Sequence, residues 1–345
     1  MMKEETIVMD KCIFSLYELK NNSRIKYNFR RNQIKYTLFK KEYHPAYKKF
    51  GGKIVMGAEE ANLYIASLIK KEEPFWVGRF GHTELGFVYS YLKNKMQKKN
   101  SNLQEQLSAL CNNAGFFPND LLMGEKYSQT ILNCCGEMDV HGMWPLYMED
   151  YFITRYETNS QLMHYIYLEP WALGKNDAGV LPWSHALKGK KVLVIHPFEE
   201  TIRTQYRDKR KRIFEGHCFS GDDILPEFEL KTLKAVQTIA GNRDKRFDTW
   251  FDALSWMVEE CKKIDFDIAI LGCGAYGMPL AAEIKRMGKG AIQICGATQL
   301  MFGILGGRWD NNEEMKASLF NDAWVYPSEE ERVDNIKAVE NACYW

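Results

Sequence analysis

Apolar positions along the chain fall into two alternating kinds of segment. Runs such as Lys191-Val192-Leu193-Val194-Ile195 and Ile268-Ala269-Ile270-Leu271 are apolar at consecutive positions and have the length of strands buried on both faces. Elsewhere the period is helical. Ala61, Leu63, Tyr64, Leu68 and Ile69 mark one helix face, and Trp250, Leu254, Met257, Val258 and Cys261 mark another over 249–263. Residues 75–80 read as a strand entered after Pro74. Strands at 191–196 and 266–271 are each followed by a helical segment, 199–214 and 276–287, and a further strand is expected at 291–295. The stretch 83–163 reads mostly helical, with candidates at 84–96, 102–112 and 119–132 and a loop at 112–118. This alternation predicts an α/β fold: a mostly parallel sheet with helices on both faces and a helical insertion in the first half.

Residues 1–50 show no clean period. Basic and aromatic residues interleave between Lys20 and Arg31, so this segment is expected to be a loosely attached extension to a domain spanning 51–345. No apolar run approaches a membrane span, and the opening residues lack a signal-peptide pattern, which points to the cytoplasm with at most peripheral membrane contact. A net charge of +1 provides no field that would draw the chain to nucleic acid. Nine scattered cysteines contain no C-x-x-C pair and read as free thiols in a reducing compartment.

Candidate chemistry starts at Gly272-Cys-Gly274-Ala-Tyr-Gly277, a G-x-G-x-x-G turn between a strand and an amphipathic helix. Glycines there allow a tight turn and close approach of backbone to a ligand, and a following helix presents N–H groups to a phosphate. A turn serving packing alone has the same sequence. The next strand ends in Gly296-Ala-Thr-Gln299 with no carboxylate for a ribose, which disfavours NAD. Beyond it, the Gly-rich loop 302–310 carries Arg308 and suits closing over a phosphate or sugar, or equally a structural turn. In Arg79-Phe80-Gly81-His82-Thr83-Glu84 the chain leaves a strand and enters a helix. His82 and Glu84 there suit a divalent ion, or Glu84 suits proton transfer; equally, a first-turn Glu is ordinary helix chemistry. His196, at another strand end, suits a base or an acceptor contact, or a structural hydrogen bond, and the basic run 209–212 suits a solvated face or an anionic acceptor. Trp144, Trp171, Trp183, Trp250 and Trp309 suit core packing, with one available to stack on a sugar ring. No G-x-S-x-G, P-loop or H-E-x-x-H pattern is present.

Arg79-Phe80-Gly81-x-x-Glu84, together with Gly274-Ala-Tyr-Gly277-Met-Pro-Leu-Ala, Gly288-Lys-Gly-Ala-Ile and Gly296-Ala-Thr-Gln-Leu-Met-Phe-Gly-Ile, resembles the GT-D glycosyltransferases over roughly residues 55–310. The resemblance implies a Rossmann-like fold and transfer of a sugar from a nucleotide-sugar, a UDP-sugar above all, to a glycan, glycoprotein or lipid-linked acceptor with a divalent metal, usually manganese. It implies a catalytic Glu84, metal ligands His82 and Glu84, and donor contacts from Arg79, Gly81, Gly272, Gly274, Tyr276, Gly277, Gly296 and Gln299. His196 and Arg308 are further candidates for acceptor or phosphate contact. The family's signature has Asp where this chain has His82, and a histidine brings a nitrogen ligand without charge to balance a dication. A nucleotide-binding oxidoreductase and a non-catalytic nucleotide-sugar-binding protein are the alternative readings.

Overall fold

Among the described residues one nine-stranded sheet forms the centre of the fold. The structure is a computed structural model that describes residues 4–39, 47–97, 102–157 and 159–345. The strands are β1 (Lys49–Phe50), β2 (Lys53–Met56), β3 (Phe75–Gly78), β4 (Val140–Met143), β5 (Gln161–His164), β6 (Lys191–His196), β7 (Glu229–Lys234), β8 (Ile268–Leu271) and β9 (Gly290–Gln293). Their order is β1-β2-β5-β4-β3-β9-β8-β6-β7, and every pair is parallel except β1 with β2. The three strands read first from the sequence, β3, β6 and β8, therefore share one largely parallel sheet.

The helices are α1 (Glu4–Phe39), α2 (Ala58–Lys71), α3 (His82–Gln97), α4 (Leu103–Ala114), α5 (Leu121–Cys135), α6 (Glu149–Tyr156), α7 (Glu199–Lys209), α8 (Gly221–Ile224), α9 (Trp250–Lys263), α10 (Gly277–Arg286), α11 (Ala297–Met301) and α12 (Glu313–Leu319). Consecutive strand residues feed opposite cores. Leu193, Ile195, Ala269 and Leu271 join the core under α3, α4, α5, α9 and α10, while Val192, Val194, Ile268 and Ile270 join the one under α2, α7 and α11. That two-sided burial is why 192–195 of β6 and all of β8 are apolar at consecutive positions.

The first half is less helical than expected. β4 and β5 were hidden because Val-His-Gly-Met and Gln-Leu-Met-His place histidines, a glycine and a glutamine in four-residue strands. The amino-terminal segment also differs from a loose arm. Phe14 of α1 is fully buried, Glu18 pairs with Lys93 and accepts from Tyr89 and Gln97, and Arg24 pairs with Asp150 at 3.2 Å. Its period was unreadable because Leu16, Leu19, Ile25, Tyr27 and Phe29 remain exposed around the helix. All nine cysteines are free. Among the described residues no helix is long and apolar enough to cross a membrane.

Candidate functional site

The placement of the cleft follows from the topology. Adjacent strands β3, β9, β8 and β6 send the chain alternately to opposite faces: α3 and α10 lie on one, α11 and α7 on the other. Diverging connections of this kind leave a crevice beyond the carboxyl ends of the strands. A cleft of about 520 Å³ opens there, lined by Arg79, Gly81, His82 and Glu84 after β3, Trp144 after β4, His196 at the end of β6, Gly272 and Gly274 after β8, and Cys295 and Gly296 after β9. Gln299 and Arg308 also line it. Two blocks separated by nearly 200 residues in sequence thus face one another.

Glu84 sits in the first turn of α3 with its carboxylate folded back over Gly81. A β-carbon added to Gly81 would lie 2.1 Å from Glu84 Oε2 and 2.6 Å from Oε1, so the glycine is required for the carboxylate to occupy this place. Burial pushes the Glu84 pKa up, and its own backbone N–H and Arg79 offset this only in part. Arg79 lies across two stacked rings, 5.6 Å from the Trp144 centroid and 5.2 Å from that of Tyr165. Burial works against its charge, but Cys295, Glu169 and Tyr165 outweigh it and raise the Arg79 pKa.

The loop that carries Trp144 is tied down from below. Glu149 Oε1 accepts the Trp144 N–H at 3.1 Å and sits 2.9 Å from His141 Nε2, while His141 Nδ1 lies 2.8 Å from Glu157 Oε2. All three side chains are buried. Within the loop, Tyr147 and Met148 adopt φ of 37° and 60°, a left-handed conformation that side chains disfavour.

His82 takes another direction. It is exposed, its Nε2 lies 3.2 Å from the Tyr147 hydroxyl, and its ring packs 5.1 Å from that of Tyr147. Among the described residues no group of three or more His, Cys, Asp or Glu side chains is placed to hold a metal ion. With His82 engaged by Tyr147 and Glu84 beside a guanidinium, the side chains present do not make a resident metal site by themselves.

Only half of the G-x-G-x-x-G turn reaches the cleft. Gly272 is needed for close approach, since a β-carbon there would lie 2.5 Å from Thr298 Oγ1 and 2.7 Å from His196 Cδ2. Gly274 has φ of +54° and faces the Ala114 carbonyl. Tyr276 and Gly277, expected as donor contacts, lie behind this wall. Tyr276 is buried with its ring stacked 5.0 Å from that of Trp250, and Gly277 lets α10 approach β9, where a β-carbon would come within 2.9 Å of Gln293 Nε2. Gly277→Val is therefore expected to destabilise the fold by about 1–3 kcal/mol through overpacking. A urea titration showing unchanged stability would contradict that placement.

His196 Nδ1 accepts the Phe198 N–H at 3.0 Å, and burial lowers its pKa to about 3. Both observations favour a neutral ring with its proton on Nε2, which presents a hydrogen-bond donor there. Gln299 is fully buried, donates from Nε2 to the Leu305 carbonyl at 3.0 Å, and leaves Oε1 without a partner. The basic run lies apart: Arg210 pairs with Asp222 and Arg212 with Asp322, and neither lines the cleft. Sequence reasoning missed the lining contributed by residues 113–115 and 236–239, and that of Val339, Glu340 and Tyr344 from a carboxyl-terminal segment that carries no glycine-rich or motif signal. Compared with protein-family models, curated proteins and solved structures, the chain matches none.

Proposed function

We propose that the cleft binds a nucleotide-sugar, a UDP-sugar above all, and transfers the sugar to a hydroxyl of a glycan, glycoprotein or lipid-linked acceptor. The observation that carries this reading is the convergence of Arg79-Phe80-Gly81-x-x-Glu84 and the turn and loop at 272–299 on one crevice. In the proposed reaction the acceptor oxygen bonds to the anomeric carbon as the bond to the diphosphate oxygen breaks. The electron pair leaves with the diphosphate, whose charge Arg79 balances, and Glu84 takes the hydroxyl proton. Burial moves the Glu84 pKa towards the working pH, which improves a carboxylate as a base. Manganese, where it accompanies the donor, would supply charge to the diphosphate, with Glu84 as the carboxylate available to it.

Thermal shift provides the test. A ligand at 100 times its Kd adds about 2.7 kcal/mol to stability, so UDP and a UDP-sugar are expected to raise Tm while NAD leaves it unchanged. Stabilisation by NAD alone would sink the reading in favour of an oxidoreductase. UDP release from the UDP-sugar separates a transferase from a protein that only binds the nucleotide, and repeating both measurements with manganese shows whether the ion contributes.

A further inference from the structure

The chain returns to Arg308 from the carboxyl-terminal side. Arg308 N–H donates to the Cys343 carbonyl at 3.0 Å, its guanidinium lies 5.0 Å from the Tyr344 ring centroid, and its Nη2 donates to Glu340 Oε2 at 2.7 Å. The segment is pinned on both sides of Glu340. Asn112 donates to the Ala338 carbonyl at 2.8 Å, the Gly307 N–H to the Trp345 carbonyl at 3.1 Å, and the Trp345 ring packs 5.8 Å from that of Phe198. Between these anchors, Glu340, Asn341 and Ala342 have φ of 44°, 56° and 66°. Three consecutive non-glycine residues in the left-handed region are sterically costly and persist only where the surroundings over-determine them. Their effect is to turn the Glu340 carboxylate back onto Arg308 at the cleft wall.

That ion pair is open to exchange. Its side chains are 38% and 53% exposed, and a pair so wetted by solvent is weak. Arg308 and Glu340 both line the cleft, and the neighbour of the guanidinium there is Gly296, which has no side chain; a β-carbon built on it would be in ordinary contact with Arg308 Nη1 at 3.6 Å. A phosphate has the charge and the oxygens to replace a carboxylate on a guanidinium, and carries more of both.

We infer that Arg308 is a phosphate subsite of the cleft and that Glu340 occupies it until a phosphate of the ligand displaces its carboxylate. The identity of that ligand as a nucleoside diphosphate rests on the proposed function; the subsite itself rests on the geometry. Glu340→Gln removes the competing charge from an exposed side chain, so it is expected to tighten UDP binding about two- to five-fold by calorimetric titration, the range that loss of an exposed ion pair allows. Arg308→Gln weakens UDP binding, and in that background Glu340→Gln has no further effect. Inorganic pyrophosphate is titrated in parallel. If pyrophosphate shows this pattern while UDP binds to no variant, the subsite stands and the nucleotide reading falls. Unchanged or weaker UDP and pyrophosphate binding by Glu340→Gln, or the same gain with Arg308 removed, overturns the inference, as does failure of every variant to bind either anion.

Discussion

Glu84→Gln is expected to lower kcat for UDP release by about 100-fold or more while moving Tm little, because the substitution keeps the side chain's size and removes the group that takes the proton. Gly81→Ala should reproduce the loss with Glu84 still present, since the new β-carbon would fall 2.1 Å from Glu84 Oε2 and drive the carboxylate from its place. The contrary expectation is distinct. A first-turn carboxylate acting only on the helix dipole is worth about 0.3–1 kcal/mol, so its loss would touch stability and spare turnover. The pH profile adds a second readout. The Glu84 pKa is raised, chiefly by burial, and a base works ionised, so activity should rise with pH through a limb above the ordinary carboxylate range. Wild-type turnover in both variants would remove Glu84 from the chemistry.

The strands that build the cleft were legible because burial on both faces leaves 192–195 of β6 and all of β8 apolar, and the glycines at 272 and 274 were legible because a strand-to-helix turn needs them. The function of Gly277 was not. The same G-x-G-x-x-G pattern lines the cleft with its first two glycines and packs a helix with its third, and only the position of Gln293 against α10 separates the two. The Gly81-to-Glu84 contact was implicit in their spacing, since the carboxylate three residues into a helix reaches back over the residue before it. Glu340 was beyond reach: it meets Arg308 through a left-handed turn of non-glycine residues, which sequence patterns give no reason to expect. His141 was equally hidden, because its partners Glu149 and Glu157 lie in and after α6, and only the fold brings them to either side of one ring.

Replacing His141 should produce the largest loss of stability. His141→Leu leaves Glu149 and Glu157 buried without the cation between them, and breaking a buried charge network in this way costs about 3–5 kcal/mol. The sign of the pH dependence follows from the shifts. Burial works to lower the His141 pKa, but Glu157 and Glu149 overcome it and raise the value from 6.5 to about 10, and burial raises that of Glu149 despite His141. Both groups therefore hold protons more tightly in the folded state than in the unfolded chain, so stability falls as pH rises. The part that belongs to His141 is fully present below pH 6.5 and is lost as pH climbs towards 10. Urea unfolding should accordingly show a wild-type protein less stable at pH 9.5 than at pH 7, and in His141→Leu that difference should shrink. Because Glu149 also holds the Trp144 N–H, the same variant should loosen the rings that carry Arg79 and raise KM for the donor in whatever fraction remains folded. Equal wild-type stability at the two pH values would show that His141 is not held as a cation, and the account of how the loop at the cleft mouth is fixed would fall with it.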